Sequence, residues 1–583
     1  MKAVSFAVAC LASVVSCKFA PSHPRNPSVP ASADSTSSVQ AATFDQLIDH
    51  SNPSLGTFKQ RYWYSTQYWN GTGSPVIVFN PGEEAADDFT GYLGTATLTG
   101  QYAEAVGGAG IVIEHRYWGN SSPFTDLTSA NLTYHTVKQA VADMNYFAKN
   151  AKLPFDTTGG SNADKAPWVL VGGSYSGALS AWTATSAPGT FWAYHASSAP
   201  VEAIEDYWGY FYPIGQGMPK NCSKDISTVI EYVDGVLTTG SSSDKLALKQ
   251  KFGLGTVEHD SDFARTLVGP LDLWQSSIAD FLPFCDYLEG VTAGAKLPGP
   301  DGVGLTVALE NYASYINSSS GCSATDCYDS YNKDNSEYTT TILDPKGGAG
   351  RQWQWMLCNE AFGWWQTGAP ANQTTLVSRF VTADYWQQEC NFFFPGVQFG
   401  LTEEKHNDDY EGWGVKNTQR LMFSNGEFDP WRSAGVSSAF RPGGPLASTP
   451  EIPVFIVPDG IHVQDLYMNN VTPAILDLRK QELAQMVSWI EEYYTKGSNT
   501  TTKNHSATST SSKPTSTTSS TSKTTTPAPI TTSTKSWTTT TAPRSTTVTS
   551  WVSETTTVDC ETETYNSVYA RQNPTKVARA YQA

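Results

Sequence analysis

One short stretch constrains the whole chain: Trp168-Val169-Leu170-Val171-Gly172-Gly173-Ser174-Tyr175-Ser176-Gly177-Ala178-Leu179. Apolar residues of the buried-strand type run into two glycines and a serine, and an Ala- and Leu-rich segment follows, which predicts strand, sharp turn and helix. A serine at such a corner is held with its hydroxyl exposed, and small neighbours let strand and helix pass closely. Ser174 is therefore the candidate nucleophile. The fit to G-x-S-x-G is incomplete: Gly172 stands two before Ser174, but Ser176 stands two after. A small residue still suits that position, although alone a glycine-serine corner is more often an ordinary tight turn or a phosphate loop.

The flanking segments predict a parallel sheet. Residues 75–80 (PVIVFN) and 110–114 (GIVIE) read as buried strands, and between 136 and 150 Val137, Ala140, Val141 and Met144 follow helical spacing. Alternating strand and helix implies an α/β fold with both sheet faces covered. From about 203 to 419 this alternation gives way to helical stretches and aromatics, which reads as an inserted second domain. Strands return at 420–423 (RLMF) and 454–457 (VFIV), followed by a helix with Leu483, Met486, Val487 and Ile490 on one face.

The ends read differently. Residues 1–17 carry one lysine and then an apolar run, as a secretory signal peptide does, and are too short to span a bilayer. Residues 18–43 are rich in Pro, Ser and Ala and read as a flexible segment or propeptide, with globular structure expected from Phe44. Residues 497–583 form a Ser/Thr/Pro-rich tail that resembles an O-glycosylated stalk, through which cell-wall association is expected. No other stretch suits a membrane helix, so a soluble, exported product is expected. Sequons at Asn70, Asn120, Asn131, Asn221, Asn317, Asn372 and Asn470, with two more at Asn499 and Asn504, agree with the secretory route. So do Cys222, Cys285, Cys322, Cys327, Cys358 and Cys390, an even set suited to disulfides whose pairing stays open. A net charge of −18 disfavours nucleic acid, whose phosphates require a basic footprint. It also suits work at low pH, though solubility alone explains it equally well.

A nucleophilic serine needs a base, and the base needs an acid to orient it; on this strand order the chain sequence is Ser, then Asp or Glu, then His. Of nine histidines, His23, His50, His115 and His135 precede Ser174. His195 and His259 come before any returning strand, His406 lies in the insert, and His505 lies in the tail. His462 remains, just after the strand ending at Val457. The acid should follow the preceding strand, where Ser424-Asn425-Gly426-Glu427-Phe428-Asp429-Pro430-Trp431 offers Glu427 and Asp429. The Asn-Gly pair reads as a turn and Pro430 fixes the backbone behind Asp429, which is preferred over Glu427. The Tyr175 amide would supply one oxyanion donor, and a second would come from the loop Asn80-Pro81-Gly82-Glu83-Glu84.

The chain resembles a serine peptidase family that includes lysosomal Pro-Xaa carboxypeptidase and dipeptidyl peptidase II, most closely its secreted fungal prolyl endoproteases. The matching motifs are Asp49-His50 with Asn52-Pro53, Thr57 to Trp63, Glu114 to Gly119, Gly172 to Gly177, Cys358-Asn359-Glu360, Asn425 to Trp431, and His462 to Leu466. The resemblance implies an α/β-hydrolase core in two parts (44–202 and 420–496), a helical cap domain (203–419), and cleavage on the carboxyl side of proline. It also implies that Trp431 walls the proline pocket, where a flat ring can stack on proline, and that Glu360 and Glu83 bind substrate or brace loops. Many relatives have glycine at Ser176 and a second histidine at Val463. Neither metal nor cofactor is expected, and the partner is a proline-containing peptide or protein. Two rivals remain: a secreted carboxylesterase or lipase on the same core, and a non-catalytic hydrolase-fold binding protein. Endo- versus exopeptidase action and oligomeric state stay open.

Overall fold

The computed structural model describes residues 39–502 apart from 293–294, 320–327, 347–349, 417 and 468–470. The expected signal peptide, most of segment 18–43 and nearly all of the tail lie outside the described residues, as do Cys322, Cys327 and Asn470.

In chain order the strands are β1 (Val39–Leu47), β2 (Thr57–Ser65), β3 (Val76–Asn80), β4 (Ala109–Ile113), β5 (Trp168–Gly173), β6 (Ala193–Ser197), β7 (Ile204–Asp206), β8 (Gly363–Trp365), β9 (Leu421–Gly426) and β10 (Val454–Val457). Eight of them form one sheet in the order β1-β2-β4-β3-β5-β6-β9-β10. β2 runs antiparallel to both neighbours, and every pairing from β4 onward is parallel. This is the α/β-hydrolase arrangement.

The period-two alternation of a strand explains the two cores. Val76, Val78, Ile111, Ile113 and Leu170 face one cluster, where helices α2 (Val137–Asn150) and α3 (Ser174–Ser186) cover the sheet. Ile77, Phe79, Val112, Val169 and Val171 face the other, covered by α1 (Leu98–Val106) and α8 (Pro473–Thr502) through Leu98, Tyr102, Met486, Trp489 and Ile490. Burial on both faces is why the central strands read as continuous apolar runs.

Between β6 and β9 the chain is mainly helical and includes α4 (Lys220–Thr239), α5 (Ile278–Leu288), α6 (Gly350–Asn359) and α7 (Ala383–Phe393). Cys222–Cys285 joins α4 to α5 and Cys358–Cys390 joins α6 to α7. β7 and β8 pair in parallel within this segment.

Three local expectations are corrected. Phe44 is not the start of regular structure but lies inside β1, which runs from Val39 and is held by a nine-residue antiparallel ladder to β2 that composition does not reveal. β6 was not expected, since Ala193-Tyr194-His195-Ala196-Ser197 lacks a branched apolar run; it is fixed by parallel pairing on both sides. Asn425-Gly426 is no turn but the end of β9, paired with Ile456 and Val457. Glycine is required at 426 because a Cβ would overlap the Ile461 and Gly460 carbonyls.

Candidate active site

β5 is buried along its whole length and delivers Ser174 at φ +63°, the left-handed region. For an L-residue that conformation costs roughly 1–2 kcal/mol, so its surroundings must impose it. A Cβ at Gly172 would overlap the Ser176 carbonyl, and one at Gly177 would lie 2.6 Å from the Ser197 carbonyl oxygen. Glycine at both positions lets β5, α3 and β6 close to this distance. The Ser176 hydroxyl then closes the corner against Gly173.

Three chain-distant side chains meet there. Ser174 Oγ lies 2.7 Å from His462 Nε2, and His462 Nδ1 lies 2.9 Å from Asp429 Oδ1. With Nδ1–H donating to the carboxylate, Nε2 is left to accept the serine proton. Asp429 Oδ1 also accepts the Trp431 amide at 2.9 Å, which fixes the carboxylate on its own turn. All three residues are buried. Glu427, the rival acid, points elsewhere: its Oε2 accepts the Asp459 amide at 3.1 Å. The His462 loop is pinned where the Val463 amide donates to Ser198 Oγ at 2.8 Å.

The insert reaches this centre through the acid's turn. Trp274 Nε1 donates to the Phe428 carbonyl at 2.9 Å and Trp431 Nε1 to Gln275 Oε1 at 2.8 Å, so insert residues hold both flanks of Asp429. Trp431 is 1% exposed, packs against Tyr207, Tyr210 and Trp364, and has its ring centre 6.5 Å from that of His462. No sequence signal marked Gln275, one of several polar residues in the turn that precedes α5.

Tyr175 is fully buried, with its hydroxyl 3.1 Å from His115 Nε2. Burial holds His115 down at about 4, so its imidazole is neutral. Gly82, at φ +83°, lays the Asn80–Glu84 loop on Tyr175 and Ser176, but its amide is committed to Asn80 Oδ1 at 2.9 Å. Glu83 and Glu360 are buried beside Tyr175, whose phenol is pushed well above its ordinary value by desolvation and then by these two carboxylates. Burial raises Glu360 itself to about 7, against the bond it accepts from Asn359.

Of the sequons, Asn70, Asn120, Asn317 and Asn372 are exposed, while Asn131 is half-buried. Asn221 donates its side-chain amide to both Glu289 oxygens at 2.6 and 2.8 Å, which engages the nitrogen a glycan would use. Among the described residues one group has metal-ligand character: His195, Asp465 and Glu482, with ligand atoms within 4.8 Å of one another. Arg479 lies in the field of both carboxylates, burial pushes Glu482 well above its ordinary value, and Asp465 accepts two serine hydroxyls.

Comparison with known proteins identifies the family. The family model for serine carboxypeptidase S28 matches residues 46–483. Serine protease vicPa of Bipolaris victoriae (strain FI3) is 38% identical over 486 residues, covering 79% of this chain and 90% of its own. A probable extracellular serine carboxypeptidase of Arthroderma benhamiae is 31% identical, covering 81% and 70%. Lysosomal Pro-X carboxypeptidase of Homo sapiens is 24% identical, covering 81% and 92%. A family match that runs from β1 into α8 and takes in the serine corner, the acid's turn and the histidine loop makes this chain a member of the S28 serine peptidases.

Proposed function

We propose that the protein is a secreted serine peptidase that hydrolyses peptide bonds on the carboxyl side of proline, in acid, through Ser174, His462 and Asp429. The observation that carries this is the buried relay of 2.7 and 2.9 Å set on a strained strand-to-helix corner. His462 Nε2 takes the Ser174 proton as Oγ attacks the prolyl carbonyl carbon, and Asp429 stabilises the imidazolium. The Tyr175 amide donates to the oxyanion; losing one such donor typically costs a factor of about a hundred to a thousand. His462 then protonates the departing amine, and water releases the acyl group by the reverse roles.

Proline is favoured by the aromatic wall of Trp431, Tyr207, Tyr210 and Trp364 beside His462, and a relative is named for Pro-X cleavage. Residues 203–419 act as a cap over a core formed by 44–202 and 420–496, a reading supported by the Trp274 and Gln275 bonds to the acid's turn. Export is supported by residues 1–17, the exposed sequons and a relative named extracellular; no helix among the described residues is long and apolar enough to cross a membrane.

The test compares a blocked Gly-Pro chromogenic amide with a butyryl ester, alongside fluorophosphonate labelling. Cleavage of the amide supports the proposal, ester-only turnover gives the esterase reading, and loss of both with no label on Ser174 removes the enzyme reading. Mass analysis of products from one proline-containing protein separates endo- from exopeptidase action.

A further inference from the structure

Three residues past His462 lies a buried carboxylate that the chemistry above does not use. Asp465 is 2% exposed and accepts from two serines: Ser197 Oγ reaches its Oδ1 at 2.6 Å and Ser424 Oγ its Oδ2 at 2.8 Å. These serines occupy telling places in the sheet. Ser197 is the register partner of Gly173, the residue before Ser174. Ser424 is the register partner of Ser197 on β9, the strand whose end runs into the Asp429 turn.

The backbone follows the same lines. The Ser198 amide donates to the Ser424 carbonyl at 2.7 Å, the Val463 amide to Ser198 Oγ, and the Leu98 amide to the Leu466 carbonyl at 2.9 Å. One carboxylate therefore ties the histidine loop both to the strand beside the nucleophile and to the strand that leads to the acid.

Its surroundings are polar and closed. His195 on β6 places Nε2 3.0 Å from Ser424 Oγ and 3.5 Å from Asp465, with Tyr102 of α1 3.1 Å from its Nδ1. Arg479 and Glu482 face it from α8, and Tyr92 and Tyr467 complete the charged and titratable groups around it.

We propose that Asp465 is a positioning residue for His462, setting the base against Ser174 and Asp429 by clamping its loop to β6 and β9. This rests on His462 being the base. A misplacement of the order of an ångström far from the bond being broken can cost about a hundredfold in rate, and Asp465 controls a displacement of that kind.

The full chain carrying Asp465→Asn, Ser197→Ala or Ser424→Ala tests this. The measurements are kcat and KM on the Gly-Pro amide, the rate of fluorophosphonate labelling, and the thermal midpoint. Asp465→Asn is expected to lower kcat and the labelling rate by about a hundredfold with KM within about twofold, and each serine variant, which removes one of the two bonds, by a smaller factor. If Asp465→Asn melts without cooperativity, the serine variants decide. Folded variants that label at the wild-type rate, or that change only KM or only the thermal midpoint, overturn the proposal. An unlabelled wild-type enzyme would instead remove the triad reading, and this proposal with it.

Discussion

The Ser176 hydroxyl bonds Gly173 twice, accepting from its amide at 3.1 Å and donating to its carbonyl at 2.8 Å. A glycine at this position could do neither. The apparent motif defect is thus a side chain that braces the corner, while the close approach to β6 is met by Gly177. Ser176→Ala leaves a buried amide without this acceptor and should cost about 1–3 kcal/mol of stability, read as a lower midpoint in chemical denaturation. Fluorophosphonate labelling should persist in Ser176→Ala and vanish in Ser174→Ala. The opposite pattern would show that the wrong serine has been chosen.

Asp429 and Glu427 differ by what they touch, and their variants should differ accordingly. Asp429→Asn can keep the acceptor bond from Trp431 but presents His462 with the wrong tautomer partner, so kcat should fall by about ten-thousandfold. Glu427→Gln alters the Asp459 contact and the charge beside Arg432 but leaves the Asp429–His462 bond in place, and kcat should stay within about twofold. Steady-state kinetics on the same amide substrate distinguish the two. Equal losses would mean that the acid has been misassigned.

The cross-link between α4 and α5 closes a span of 63 residues within the insert. By loop entropy such a link is worth about 4 kcal/mol at most, less where the reduced chain retains structure. The double variant Cys222→Ala with Cys285→Ala should therefore unfold at clearly lower denaturant than wild type. If Asp429 depends on the insert through Trp274 and Gln275, catalytic activity should be lost in that same transition. Activity that outlasts unfolding of the insert would show that the acid's turn stands without it.

How far the chain could be read from its residues follows from where its information is local. β3, β4 and β5 were legible because burial on both faces demands runs such as Val76-Ile77-Val78-Phe79. Ser174, Asp429 and His462 were legible because each follows a strand end in a fixed chain order, and the structure brings all three within hydrogen-bond reach. β1 and β6 were not, since their ladders rather than their side chains hold them. Gln275 and Asp465 escaped for a related reason. Their partners, Trp431, Ser197 and Ser424, lie 156, 268 and 41 residues away, and only the fold brings them together.

Glu360 offers a pH test with a definite sign. Burial raises its carboxyl from 4.5 to about 7, so the folded protein holds a proton that the unfolded chain releases at lower pH. Its stabilising contribution is full below 4.5 and is lost as pH rises through about 7, a swing on the order of 3 kcal/mol. His115 and His195 act in the opposite sense: burial holds both near 4, so their contribution is present above 6.5 and is lost as pH falls through about 4. Stability should therefore fall on both flanks, with Glu360 contributing to the alkaline one. Glu360→Gln stays neutral at every pH, so its thermal midpoint should decline less than that of wild type between pH 5 and pH 8 (about the window spanned by the shift), with the acid flank unchanged. Parallel curves for the two proteins across that range would show that Glu360 is ionised in the folded state.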